Sequence, residues 1–214
     1  MRKVLAVGVV VILTVFSASA FAGTVYNAYS GWYDDSGNHS YNNTNYFSGN
    51  HFGPQLDNFF LFDLSGVSGG ITSASFNVYT YGISTSGTYT IYGTSLPTSV
   101  QYDCSGCVSN FAGLTSGPAI GSISFTTSDA NSWLTISLNG AGLAWLTANE
   151  GSWVVLGGSN PQPNTGGDLF IFGYSVFNGS NNLTINSTPE PGSLLLLGSG
   201  ILGAAGILRR KLLL

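Results

Sequence analysis

Between Lys3 and Arg209 this chain of 214 residues contains no lysine and no arginine. The stretch from Gly23 to Thr188 carries acids alone: Asp34, Asp35, Asp57, Asp63, Asp103, Asp129, Glu150 and Asp168. Without cations nothing can neutralise phosphates or release counterions, so nucleic-acid binding is excluded. The same absence removes a Walker lysine, an arginine clamp and a Schiff-base lysine. Charged residues make up 7% of the chain, so solubility rests on Asn, Ser, Thr and Gly in a weak negative field.

The five cations sit at the ends: Arg2, Lys3, Arg209, Arg210 and Lys211. Arg2-Lys3 precede an apolar run from Val4 to Leu13 that continues to Phe16, and Ala20-Phe21-Ala22 follow. Basic, apolar and small-residue regions in that order predict a secretory signal peptide over 1–22, cut after Ala22, with Ala20 as the other cut. An uncleaved anchor is the competing reading, but the run is short for a span of about 20 residues.

Cysteine is almost as scarce as internal cation. Cys104 and Cys107 stand in "YDCSGCVSN", with no second CxxC and no helix signal after the first cysteine. In an exported chain that favours a local structural disulfide over a zinc or redox site. Closing so short a loop stabilises by no more than about 2 kcal/mol, which pins a loop and not the fold.

What remains is rich in aromatics, β-branched residues and glycine. "NFFLFDLSG" is a near-continuous apolar run, suited to a strand buried on both faces, and "ITSASFNVYTYG" alternates. "GTYTIYG", "SISFTT", "SWLTISLNG", "GSWVVLGG", "DLFIFGYS" and "NNLTINS" repeat the theme between Gly, Asn, Ser or Pro. A helical turn or two is expected at "GAGLAWLTANEG", with Leu143 and Leu146 on one face. So many short strands in one domain predict an all-β fold, a two-sheet, jelly-roll-like sandwich over 23–187. Tyr26 to Pro54, rich in Asn, Tyr and Gly, is expected to be a long, partly extended excursion over the sandwich, with one strand in it.

The chain ends in "STPEPGSLLLLGSGILGAAGILRRKLLL". From Ser193 to Leu208 every residue is apolar, Gly or Ser, which makes one transmembrane helix of roughly 24 Å. The cations after it stay cytoplasmic, so Glu190 and the body lie outside. Pro189 and Pro191 bar the helix from continuing and leave an extended tripeptide. Pro189-Glu190-Pro191, the span over 193–208 and the basic end Arg209-Arg210-Lys211 closely resemble the PEP-CTERM sorting tail, here 188–214. The resemblance implies a substrate of an exosortase-type enzyme, exported with extracellular polysaccharide or biofilm matrix and membrane-anchored until processed. "DNFFLFDLSGVSGGITSASFNVYTYG" also resembles secreted bacterial jelly rolls related to carbohydrate-binding modules, which implies a sandwich without naming a ligand.

Motif strings in the body carry little chemistry. Gly66-Val67-Ser68-Gly69-Gly70 matches G-x-S-x-G, but a nucleophile elbow needs a helix after the serine and here a second strand follows. Gly198 to Gly203 matches G-x-G-x-x-G inside the span, where no βαβ unit exists. His39 and His51 read as solvated or core-capping residues, and no carboxylate pair is selected by spacing. Asp34, Asp35 and Asn38 around Gly37 offer clustered hard oxygens for a structural calcium ion; no other cofactor is expected. Trp32, Tyr33, Tyr41 and Tyr46 alternate with amides and acids, the chemistry that grips sugars, unless the rings fold back into the core.

These features together describe a noncatalytic exported protein, structural or glycan-associated, with an exosortase-type enzyme and extracellular polysaccharide as partners. A carbohydrate-binding adhesin and a secreted polysaccharide hydrolase are the alternatives. Ice binding would require a Thr-x-Thr ladder, and Thr88-Tyr89-Thr90 stands alone.

Overall fold

All eight quoted strand segments become strands. In chain order β1 is Phe21–Asp34, β2 Ser48–Asn50, β3 Gln55–Asp63, β4 Ile71–Thr80 and β5 Gly87–Gly93. β6 is Ala119–Phe125, β7 Ser132–Ser137, β8 Trp153–Ser159, β9 Leu169–Ile171 and β10 Asn182–Ser187. Two short helices accompany them, α1 (Val108–Gly113) and α2 (Gly140–Ala148). This computed structural model describes residues 21–51, 53–163, 167–172 and 181–188, with helical residues at 198, 200–203 and 205. Most of the expected signal peptide, Pro189-Glu190-Pro191, much of the 193–208 span and Arg209-Arg210-Lys211 lie outside the described residues. Among the described residues no helix is long and apolar enough to cross a membrane.

The strands form one antiparallel sheet in the order β6-β5-β8-β3-β1-β10-β4-β7, with β2 and β9 paired beside β3. This differs from the two separate sheets expected of a sandwich. β1 belongs to both halves: Phe21–Tyr26 pair with β10, and Asn27–Asp34 pair with β3. A register shift between Asn27 and Tyr29 marks the change of partner. A strand of 14 residues, at about 3.4 Å each, is far longer than the usual one, and the irregularity lets it bend from one half to the other. The free ends, β6 and β7, approach closely enough for the Asn139 amide to donate to Ile120 O at 2.9 Å, so the sheet nearly closes as a barrel.

The expectation for Tyr26–Pro54 is corrected here. Tyr26–Asp34 belongs to β1, the central strand of the sheet, and β2 adds a second, so loop is confined to 35–47 and the described residues between β2 and β3. Asn, Ser and Gly lower β propensity, but burial between β3 and β10 overrides it.

Inside the fold Phe60, Phe62, Phe76, Val78, Leu183 and Ile185 are fully buried. Each such side chain stabilises by roughly 1.5–3 kcal/mol. β3 is buried on both faces, as its apolar run predicts, because a second, smaller core lies outside it. There Phe59 and Leu61 meet Tyr29, Tyr33, Val100 and Leu114. The cover is the long link between β5 and β6, which carries a 3-10 turn (Thr98–Gln101), the disulfide loop and α1. α1 starts directly after Cys107, which the sequence reading of the CxxC segment did not foresee. α2 confirms the expected helix, with Leu146 buried and Leu143 packed on the core. Its N-cap Asn139 accepts from Gly142 N at 3.0 Å.

Residues facing each other across antiparallel pairs share a side. The outward side of β1, β10, β4 and β7 is therefore a grid of rows. One row is Thr24–Thr184–Ser75–Ser137, the next Tyr26–Asn182–Asn77–Thr135, and Tyr79–Trp133 closes it.

Candidate functional site

β1 ends in a turn that locks onto the disulfide loop. The Gly37 amide donates to Asp34 O at 2.8 Å, and Asn38 N and Nδ2 donate to the two Asp34 carboxylate oxygens at 2.8 and 3.0 Å. From the other side Ser105 Oγ and Gly106 N donate to Asn38 Oδ1 at 3.1 and 3.3 Å. His39 and Cys104 exchange both backbone hydrogen bonds, and Cys107 N donates to Gly37 O at 2.9 Å. Gly37 has a φ of +80°, and a Cβ there would strike the Cys107 backbone, so the close approach depends on glycine. Cys104 and Cys107 are joined, with Cα atoms 6.0 Å apart.

His39 sits at the centre of this junction, buried rather than solvated. Its Nδ1 lies 2.9 Å from Trp32 O, and its Nε2 lies 3.1 Å from Gln101 O and 3.4 Å from Tyr29 Oη. Tyr29 spends its own proton on Tyr41 O at 2.6 Å. Both ring nitrogens thus face acceptors, while a neutral imidazole has one N–H to offer. Burial nevertheless lowers the His39 pKa, opposed by the two carbonyls and by the Asp103 charge.

The four aromatic candidates do not assemble into one exposed face. Tyr33 is fully buried, donates to Val100 O at 2.9 Å and accepts from Asn110 Nδ2 at 3.0 Å. Tyr46 is also buried in the main core, donating to Tyr79 O at 2.9 Å. Trp32, next to Tyr33 on β1, lies opposite Asn58 and so points to the other side of the sheet, its indole N–H buried without a partner. Tyr41 alone is exposed. Its ring stacks on Tyr29 at 5.5 Å and meets the exposed Tyr102 at 6.0 Å, while its amide donates to Asp103 Oδ1 at 2.6 Å. The alternation of β1 separates Trp32 from Tyr33, and Tyr46, from the loop, is buried in the main core. Tyr102 and Asp103 were missed because they come from a distant segment, brought in by the His39–Cys104 bridge.

Asp34, Asp35 and Asn38 do not converge as an oxygen cage either. Asn38 turns its N–H groups toward Asp34 and its carbonyl oxygen toward Ser105 and Gly106, and Asp35 Oδ2 accepts from Gln55 N at 3.4 Å. Among the described residues no group of three or more His, Cys, Asp or Glu is placed to hold a metal ion.

Most of the other acids serve as acceptors; Glu150 is the exception, its Oε1 buried without a hydrogen-bond partner. Asp63 accepts from Ser65 N, Asp129 closes a capping box with Thr126, and Asp57 Oδ1 accepts from Ser159 Oγ at 2.6 Å and Gln55 Nε2 at 3.2 Å. Burial pushes the Asp57 pKa up to about 6, opposed by those two donors. Asp168, isolated in sequence, pairs with His51 Nδ1 at 2.7 Å beside Phe47 and Phe170. This half-exposed dyad joins β2 to β9. Ser68 lies in the turn between β3 and β4, with no helix after it.

At its C-terminal end the body stops abruptly. Ser187 closes β10, paired with Phe21 and Ile71, and Thr188 N donates to Gly70 O at 2.9 Å. The Pro-Glu-Pro tripeptide begins at the next residue. Leu202, in the helical stretch beyond, is 76% exposed, and Gly198, Gly200 and Gly203 have no neighbour within 4 Å of a Cβ position.

Residues 187–211 match the PEP-CTERM protein-sorting motif. The motif indicates a protein exported, held transiently in the membrane and sorted to the cell surface by an exosortase-type enzyme. It starts on the last residue of β10, so the sorting signal follows the folded body without a linker. No curated protein matches the chain.

Proposed function

We propose that the sorted chain is a noncatalytic protein of the cell surface or the exopolysaccharide matrix, with a structural or glycan-associated role. The observation that carries this reading is the direct junction of a hydrogen-bonded body to a sorting motif at Ser187–Thr188. Processing near Pro189-Glu190-Pro191 leaves every strand whole and delivers the body as a unit. A structural use of the acids fits this reading: Asp34, Asp57, Asp63, Asp103, Asp129 and Asp168 each accept a hydrogen bond that holds a turn or ties segments together, Glu150 excepted. The body's lack of cations leaves it nothing with which to hold a polyanion, which fits an uncharged partner. A carbohydrate-binding adhesin is the second reading, favoured by the exposed Tyr41–Tyr102 pair.

Cosedimentation of the exported protein with purified matrix polysaccharide of its host tests the reading. The expected result is a salt-insensitive pelleted fraction with no release of reducing ends. Turnover abolished by replacing one carboxylate would make the chain a hydrolase; a protein that stays in the supernatant would remove the matrix role.

A further inference from the structure

The rows of uncharged side chains on the outward face of β1, β10, β4 and β7 belong to none of the features above. We infer that this face is a docking surface for an uncharged, extended polysaccharide. The inference rests on the glycan-associated reading and gives it a location away from the aromatic loop.

The face is built of amides and hydroxyls held in register. Thr135 Oγ1 donates to Asn77 Oδ1 at 2.8 Å, and Asn77 Nδ2 donates to Asn182 Oδ1 at 2.9 Å and Thr184 Oγ1 at 3.1 Å. Three strands are thereby tied through side chains that already sit in one orientation, so little rotamer freedom remains to be lost on binding. Tyr26 and Trp133 flank this field, 59% and 49% exposed. They stand three strands and one row apart, which places them about 16 Å from each other on the sheet grid. Trp133 is propped edge-on by Tyr79, at 5.4 Å and 72°, so its exposed ring is held rather than free to swing.

Charge decides between occupants. No Asp, Glu, Lys, Arg or His occurs in these rows, and the body as a whole is acidic. A polyanion would meet a repelling field and no counter-charge, and a cationic partner would be drawn to the acids elsewhere. A second copy of the chain is a poor match, because interface cores are enriched in aromatic residues, Met and Arg and depleted in Ser. A neutral sugar chain offers hydroxyls that exchange hydrogen bonds with amides and flat C–H faces that stack on Trp133 and Tyr26.

The test is isothermal titration of the exported protein, recovered from its host, with a soluble uncharged β-glucan, an uncharged galactomannan and the polyanion alginate. A neutral polymer should bind at low and high salt alike, and alginate should not. Trp133→Ala and Thr135→Asp, both at exposed positions, should each weaken binding by about tenfold, while Trp153→Ala, as exposed but on β8 outside the grid, stays within about twofold. Binding lost in Tyr41→Ala but kept in the two sheet variants would overturn the location and leave glycan association standing. Tighter binding of alginate would overturn the neutral-polymer assignment, as would wild-type self-association that Thr135→Asp abolishes. No binding to either neutral polymer would overturn the docking surface, whatever the cosedimentation with host matrix shows.

Discussion

Two buried ionisable side chains pull the stability of this body in opposite directions with pH. Asp57 is buried and has no cation to pair with, since none exists in the body, and its pKa rises to about 6. Its folded pKa lies above the unfolded value, so the native state holds the extra proton and stability falls as pH rises from about 4 through 6. The ionisation costs about 3 kcal/mol by pH 7. His39 behaves the other way. Burial lowers its folded pKa, so its contribution is full above the ordinary histidine value and is lost as pH falls through the folded one. Urea unfolding between pH 4 and 7 should show the Asp57 slope, and Asp57→Asn should flatten it; an unchanged slope would mean that the carboxyl is not the source. Neither role was legible in the sequence. His39 was read as a solvated or capping residue, and only the fold brings Trp32 O and Gln101 O to its two nitrogens.

Strands with a clear apolar pattern were legible, and the strand without one was not. β3 to β10 follow apolar runs or alternation bounded by turn residues, which is local information. β1 reads "FAGTVYNAYSGWYD", with two glycines and Asn27 at positions that packing, not propensity, holds extended. Missing it put Trp32 and Tyr33, neighbours that a strand turns to opposite sides, on one imagined sugar-binding face. The same element-level view distinguishes the two pins of the fold. The Cys104–Cys107 bond closes a small loop that backbone bonds to Gly37 and His39 also hold. Gly158 instead leaves room for the buried chain in which Tyr89 Oη donates to Asn58 Oδ1 at 2.7 Å and Asn58 Nδ2 to Tyr46 O at 2.9 Å. A Cβ at Gly158 would collide with both Tyr89 and Asn58. Gly158→Ala should therefore cost about 3 kcal/mol, and reducing the disulfide no more than about 2 kcal/mol. Denaturant titration of both compares them directly; unfolding on reduction with a neutral Gly158→Ala would reverse the assignment.

At the scale of the whole molecule, a body without cations is joined to a tail that concentrates three of them, Arg209, Arg210 and Lys211, beyond an apolar stretch. The tail was legible because its parts are contiguous and ordered, and the 187–211 match agrees with that reading. The outward grid of Asn, Thr and Ser was not legible, because it draws on four strands distant in sequence. We propose that the chain is a folded unit delivered by its tail and cut beyond Thr188, whose amide ties the end of β10 to Gly70 O. Intact-mass analysis of the surface-exposed protein, from hosts with and without an active exosortase-type enzyme, tests it most directly. The predicted result is a C-terminus just beyond Thr188 in the active host, and retention of the 193–208 stretch in the inactive host and in Glu190→Ala. A surface form that keeps Arg209-Arg210-Lys211 in the active host, or normal trimming of Glu190→Ala, would contradict it.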